Sequence, residues 1–357
     1  MEPISATLAV TGMNATDNPA PGVAVARSLR HEPSFRGRLI GLGYDALDPG
    51  FYAEGLLDGG AILPYPSAGR EPMLTALSRV KRELGVDAII PTLDSEMRAL
   101  AAAESDLQAL GIRIFVPAVE QLERASKARL HNLASSPGVE VPESEPISST
   151  DAIPKLIKRF GLPVVMKGVY YGGEIVHNEA DAIHAFHRFV ATWGVPVVMQ
   201  RYIPGEEYDV AAIGDGEGGL VGAVAMRKMM ITDKGKGWCG ITVDNPALIE
   251  MTRAVVAALK WRGPLEVEIL RRQDSGDLYV IEINPRFPAW IHLSTGAGQN
   301  LPYACALLAL GQPVPTPMPA YRAGTIFVRI SIDQITDLST FEQLTASGLM
   351  RTKQVSS

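Results

Sequence analysis

Short apolar runs and amphipathic stretches alternate through the first third of the chain. Residues 6–12, 38–43, 61–63, 86–90 and 112–116 are brief and apolar and read as strands. Between them, residues 22–29, 73–84 and 95–110 carry apolar positions at helical spacing. This alternation predicts a parallel sheet covered on both faces, a Rossmann-like domain over residues 1–117. Ligands of such sheets gather at the carboxyl ends of strands, which singles out the loops 11–18 and 92–96. Asp94 and Glu96 follow a strand there, where they suit an amine or, equally, the dipole of the helix they open. The glycines within residues 12–22 lack the G-x-G-x-x-G spacing, so a dinucleotide site is not expected.

The pattern then changes. Residues 127–133 read as a helix bearing Lys127, and the polar, Pro/Ser-rich residues 135–150 as a connector to a helix over 152–160. The run LPVVMKG (162–168) reads as a strand ending on Lys167, with Gly172 and Gly173 just beyond. An ammonium followed by mobile backbone amides suits phosphates. A second apolar strand runs into a bend at Gln200, Arg201, Tyr202 and Ile203, whose backbone can serve a nucleobase edge. Residues 225–243 follow as a flexible, glycine-interrupted loop carrying Arg227, Lys228, Lys234, Lys236 and Trp238, basic groups that suit an anionic substrate. Residues 287–298 read as a loop, 301–310 as a buried helix and 313–319 as a proline-rich connector, before a strand over 324–330 and a helix over 338–346.

The densest chemistry lies in LEVEIL (265–270) and LYVIEINPR (278–286), two strands separated by a turn. A hairpin can set Glu268 opposite Glu282, and alternation sends Glu282, Asn284 and Arg286 to one face. A single charged residue at a strand end is ordinarily solvated. Four polar groups on one face of apolar strands require a compensating cation or donor. Hard oxygen ligands suit Mg²⁺, and a guanidinium suits a transferring phosphoryl group.

The EINPR run, with Glu268 on the preceding strand, resembles the metal site of the ATP-grasp superfamily, in the branch of the carbamoyl phosphate synthetase large chain and biotin carboxylase. The resemblance implies an α/β chain: the Rossmann-like domain, then a two-lobed α+β ATP-grasp fold with a small lobe at 118–199 and a large lobe at 200–357 that includes the C-terminal strand and helix. It implies ATP with Mg²⁺ or Mn²⁺. Glu268, Glu282 and Asn284 would be the metal ligands, and Arg286 and Lys167 the catalytic groups. Lys127 and Lys167 would reach the phosphates, Gln200 to Ile203 the adenine, and Glu207 the ribose; Glu206 is an alternative that alternation alone cannot separate. Substrate is expected near Arg227, Lys228, Lys234, Lys236 and Trp238, and near Asp94 and Glu96. The family's glycine loop is usually longer than GVYYGG (168–173), so Tyr170 or Tyr171 is expected to fill part of this lid.

Composition narrows the field. A chain of 357 residues, 46% hydrophobic, suits two or three globular lobes, and no apolar run reaches the length of a membrane span. The first residues lack the basic region of a signal peptide, and two cysteines offer no disulfide framework, so a cytoplasmic location is expected. A net charge of −6 argues against nucleic acid as partner. His184 and His187 share a helix face without acidic or cysteine partners and read as surface residues. Together the residues and the resemblance point to an ADP-forming ligase that joins a small-molecule or peptide carboxylate to an amine or thiol through an acyl phosphate, with a homo-oligomer allowed. The alternatives are a bicarbonate- or carbamate-phosphorylating enzyme and a non-catalytic ATP-binding partner protein.

Overall fold

In the computed structural model, which describes residues 3–15, 19–170, 172–232 and 237–351, the strands gather into three sheets. Leu8–Val10 (β1), Leu39–Gly43 (β2), Gly59–Ile62 (β3), Ala88–Ile90 (β4) and Arg113–Ile114 (β5) pair in parallel in the order β3-β2-β1-β4-β5. β1, β2 and β4 are buried along their whole length, as a sheet covered on both faces requires. The covering helices are Pro21–His31 (α1), Arg70–Leu84 (α2), Asp94–Ala102 (α3) and Glu104–Ala109 (α4). The one helix expected over 95–110 is thus two, broken at Ala103 (φ −102°, ψ 9°). The strand order reverses beside β1, so the loops leaving β1 and β4 open at the switch point.

Val119–Arg124 (α5) follows, and the helix expected over 127–133 does not form. Ser126 Oγ donates to Glu123 O (2.8 Å) and Arg129 N to Ser126 O (2.8 Å), so local side-chain bonding favours a turn over further helix. Lys127 projects from that turn, and a 3₁₀ segment, Leu130–Ser135, comes after it. Within the expected connector lies a strand, Ser144–Ile147 (β6). It edges a second, antiparallel sheet with Val164–Lys167 (β7), Gly173–Val176 (β8) and Val197–Arg201 (β9), in the order β6-β9-β7-β8. Ile153–Phe160 (α6) and Glu179–Trp193 (α7) cover one face, packing Leu156, Phe160, Phe186 and Phe189 against Val164, Met166, Val197 and Met199. By alternation the other face carries Val165 opposite Gln200 and Lys167 opposite Val198.

The third sheet holds Gly205–Asp215 (β10), Leu220–Ile231 (β11), Gly237–Thr242 (β12), Arg262–Arg272 (β13), Leu278–Asn284 (β14) and Ile326–Val328 (β15), antiparallel in the order β14-β13-β10-β11-β12-β15. The basic stretch expected to be a loop is therefore mostly the β11–β12 hairpin. Residues of its two strands pair across the sheet, Met226 with Thr242 and Arg227 with Ile241. Lys234 and Lys236 lie outside the described residues, as does Tyr171. One face of the sheet packs on Pro246–Leu259 (α8), where Val255, Val256 and Leu259 meet Val210, Ala212, Leu265 and Val267. Each fully buried side chain of that kind stabilises the fold by about 1.5–3 kcal/mol. The opposite face is divided. Ala211, Ile213, Val224 and Met226 join Phe287, Trp290 and the helices His292–Gly296 (α9) and Leu301–Ala309 (α10), in a core that continues to α1 and β1. The rest of that face is charged.

Leu338–Ser347 (α11) ends at Gly348, whose φ of +66° is cheap only for glycine. The chain then enters Leu349–Arg351 (β16), which pairs antiparallel with β3. This last strand, grouped by the sequence with residues 200–357, completes the first sheet. Three residues carry no pattern that could reveal so distant a partner.

Candidate active site

Strand register builds the charged face. Glu282 on β14 stands opposite Glu268 on β13, and Glu268 opposite Asp209 on β10. One step along, Asn284 stands opposite Glu266. Glu207 shares the face of Asp209, with Lys228 of β11 beside it. Glu206 lies on the other face with Tyr208, whose hydroxyl donates to it (3.0 Å). Register thus separates the two glutamates that alternation alone could not.

Three lysines enter this acidic face from different elements. Lys127 Nζ lies 3.2 Å from Glu282 Oε1 and donates to Tyr170 O (2.9 Å), tying the hairpin between β7 and β8 to β14. Lys167 leaves the end of β7 and donates to Ile281 O (2.9 Å). Burial pushes its ammonium below the ordinary lysine value, with Glu282 acting the other way. Lys228 is also enclosed, its side chain 8% exposed, at 3.0 Å from Glu207, 3.3 Å from Asp209 and 3.3 Å from Glu268. Burial works against its charge, but Glu268, Asp209 and Glu207 together hold its pKa well above the usual range.

Arg286 crosses between sheets. Its Nη1 donates to Glu266 Oε2 (2.9 Å), and its Nε to Asp94 Oδ2 (3.3 Å) at the start of α3. Glu266 is filled on both oxygens: Trp290 Nε1 donates to Oε1 (2.8 Å), and Asn284 Nδ2 (3.1 Å) joins Arg286 on Oε2. The same amide nitrogen donates to Glu268 Oε1 (3.0 Å). Glu266 therefore orients both Asn284 and Arg286. It was not singled out in the sequence, nor was Asp209; period-two spacing from Glu268 and from Glu207 was the available signal. Arg329 was also missed. Its amide donates to Trp238 O (3.1 Å) and its Nε to Gly237 O (2.9 Å), and burial lowers its guanidinium to about 10, with Glu266 acting the other way. Trp238 and Arg329 share the charged face by alternation from Gly240, which stands opposite Lys228, and from Phe327 opposite Gly240.

Several expected contacts fall elsewhere. Arg227 points to the α8 side of the sheet, 3.7 Å from Glu206 and away from the lysines, because β11 is a strand and neighbouring residues oppose each other. Arg201 turns outward to Glu143 (2.9 Å), and its amide donates to Glu143 O (2.8 Å), so neither group is free for a base. Gln200 is buried at the end of β9, and Tyr202 and Ile203 form the link to β10. Tyr170 is 66% exposed, its ring edge-on to Trp193 at 5.9 Å, so its side chain does not fill the lid. Glu96 faces inward: Thr11 Oγ1, Thr92 N (2.9 Å), Leu93 N (3.0 Å) and the Tyr44 hydroxyl (2.5 Å) all donate to it. That network occupies the carboxylate and removes it from any substrate.

Among the described residues the face gathers six carboxylates, Asp94, Glu207, Asp209, Glu266, Glu268 and Glu282, and five cations, Lys127, Lys167, Lys228, Arg286 and Arg329. Burial pushes Glu282 up, with Glu268 opposite adding to the push. Burial acts on Glu268 in the same sense, but Lys228 and Lys167 outweigh it and leave that carboxyl below its usual value. Among the described residues no three His, Cys, Asp or Glu side chains form a metal site by themselves. Mg²⁺ does not demand one: it keeps several waters and takes one or two carboxylates together with substrate phosphates. Two opposed carboxylates, an amide and surplus negative charge fit that ion.

The family described as "ATP-grasp in the biosynthetic pathway with Ter operon" matches residues 194–331. The carbamoyl phosphate synthase large chain of Clostridium botulinum (strain Eklund 17B / Type B) is 25% identical over 193 residues, which are 50% of this chain and 18% of that protein. This chain thus spans about a fifth of that relative. A biotin carboxylase–β,γ-ATP complex from Campylobacter jejuni superposes with a TM-score of 0.70 at 20% identity, over 87% of this chain and 73% of the other. An L-amino acid ligase from Bacillus licheniformis does so at 0.65 and 17%, over 88% and 76%. Among the described residues no helix is long and apolar enough to cross a membrane.

Proposed function

From a chain that carries an ATP-grasp domain, we propose an ADP-forming ligase that activates a carboxylate as its acyl phosphate and passes it to an amine. The observation that carries this is the joining of Glu268, Glu282, Asn284 and Arg286 on one sheet face with Lys127 and Lys167 brought from the second sheet. In this reading ATP lies between those two sheets. Tyr202 and Ile203 serve the adenine through their backbone, since among the described residues neither amide donates to another main-chain group. Glu207 takes the ribose, and Lys127 and Lys167 the phosphates. Glu268, Glu282 and Asn284 would hold Mg²⁺, which when bound neutralises phosphate charge and polarises the phosphoryl oxygens.

A carboxylate oxygen of the acid attacks the γ-phosphorus as its bond to the β-bridging oxygen breaks, and ADP leaves. Arg286 and Lys167 stabilise the charge that builds on the transferring group. The amine then attacks the acyl carbon, phosphate departs with the C–O bonding pair, and the nitrogen gives up its proton. The protein contributes position and electrostatics more than covalent chemistry. Arg286 already sits in a fixed fork between Glu266 and Asp94, which supports a transition-state role over loose substrate capture.

The named relatives act on different partners, so the acid and the acceptor belong to the test. ADP release is measured over a panel of small carboxylic acids, peptides and bicarbonate, each with amines and thiols, and products are read by mass spectrometry. Expected is ADP formation that needs both an acid and an amine. AMP in place of ADP would overturn the acyl-phosphate route, stimulation by bicarbonate alone would move the chain to a carboxylase-like reaction, and no turnover at all would leave an ATP-binding partner protein.

A further inference from the structure

Lys228 faces carboxylates of its own chain on every charged side that the sheet offers it. Its ammonium donates to Glu207 (3.0 Å) and Glu268 (3.3 Å) and lies 3.3 Å from Asp209, so three carboxylates surround it. Its stem is buried, and among the described residues Glu207 and Asp209 have no other ion-pair partner. Those carboxylates come from two adjacent strands, and in the reading above one contacts ribose while another contacts the metal.

We propose that Lys228 is a positioning residue, a built-in counter-cation that fixes Glu207 and Glu268 relative to each other and offsets the negative charge a divalent ion meets at Glu268. The idea rests on the Mg-nucleotide reading of this face. It has a consequence that pure packing lacks. Removing the ammonium makes the pocket one charge more negative, so a divalent ion binds more tightly. At the same time Glu207 and Glu268 lose their common anchor, so the nucleotide binds less well. Metal and nucleotide affinity should move in opposite directions.

The test uses the full chain, and thermal unfolding is followed against MgCl₂ alone and then against MgCl₂ with ATP. Lys228→Met should lower the Mg²⁺ half-saturation concentration by about tenfold, since a unit charge a few ångström away acts in a weakly screened setting. The same variant should need more ATP for its nucleotide shift. Lys228→Arg, which keeps the charge, should return the Mg²⁺ half-saturation to within about threefold of the parent chain. An unchanged Mg²⁺ response in the Met variant, or an Arg variant that behaves like Met, would overturn the proposal. Should the Met variant fail to fold, Asp209→Asn keeps the ammonium and removes one carboxylate. It should raise the Mg²⁺ half-saturation, and no change there would equally sink the idea. If ATP with MgCl₂ shifts no chain, the parent included, the nucleotide reading falls by itself, while the Mg²⁺ series still decides the role of Lys228.

Discussion

Two sets of buried carboxylates stand side by side in this molecule, and they are satisfied in different ways. Glu96, under the first sheet's switch point, accepts hydrogen bonds from two hydroxyls and two backbone amides. All four donors are neutral, and all are fixed by β1, β4 or the loops that leave β2 and β4. The carboxylates of the large sheet also meet neutral donors, Trp290 and Asn284, but are paired in addition with Lys127, Lys228 and Arg286, side chains drawn from separate elements. Neutral fixed donors close a site. Charged groups keep the carboxylates ionised and the face polar, with Lys228 and Arg286 fixing its geometry and Lys127 placed where a metal ion or a phosphate would meet it. The first set is architecture, and the second has the character of a site that works.

The largest effect expected from this contrast is at Glu282. Glu282→Gln keeps the shape of the side chain and removes the charge that Lys127 and a cation share, so acid-dependent ADP release should fall by about 100-fold or more while the far-UV spectrum and melting temperature barely move. Near-normal turnover would take Glu282 out of the metal site. Arg286→Lys comes next. It keeps a charge but loses the planar fork that bridges Glu266 and Asp94, and the expected cost is about 10²-fold in kcat, with the smaller change in KM. Equal losses in kcat/KM through KM alone would mean that Arg286 binds ground-state substrate and does nothing special at the transition state.

Much of this face was legible before any coordinates. Glu282, Asn284 and Arg286 announce themselves because they interrupt an apolar strand at period two, and the hairpin turn fixes the partner strand. What the sequence hides is register. Glu266 and Asp209 become visible only when β13 is laid between β10 and β14, because an acidic residue in an alternating strand looks the same whether it meets solvent or a buried arginine. The β11–β12 hairpin is hidden for a related reason. Its lysines and glycines crowd together in the sequence, and that composition masks the strand character of the residues on either side. Lys127 stands on a turn and not on the expected helix, since a serine bonding back to Glu123 O is a local choice that helical periodicity does not encode. β16 was invisible because its pairing spans almost the whole chain.

The remaining predictions probe the closed member of the pair, where effects should be smaller and confined to stability. Glu96→Ala removes the acceptor of the Leu93 amide and of the Thr11 and Tyr44 hydroxyls, while Thr92 N keeps Thr11 Oγ1 (2.8 Å), and should destabilise the fold by about 2–3 kcal/mol in urea titrations without changing turnover per folded molecule. A turnover loss as deep as that of Glu282→Gln would erase the distinction between the two sets.

The smallest effect is a pH dependence. Burial pushes Glu96 above its ordinary value near 4.5, against the pull of its hydrogen bonds. The unfolded chain therefore releases this proton first, and the folded state holds more protons over the window above about 4.5. Stability must fall as pH rises where the folded state binds the extra proton, and must level off once the folded-state value is passed. The protonated carboxyl has somewhere to donate, because the Tyr44 oxygen 2.5 Å away accepts as readily as it donates. Glu96→Gln has no proton to lose. Compared with it in parallel urea titrations from pH 4.5 to 8, the parent chain should hold its greatest relative stability at the acid end and lose that margin as the pH climbs. A margin that grows with pH would mean that the four hydrogen bonds outweigh burial and that Glu96 is carried as an anion, like the carboxylates it is contrasted with.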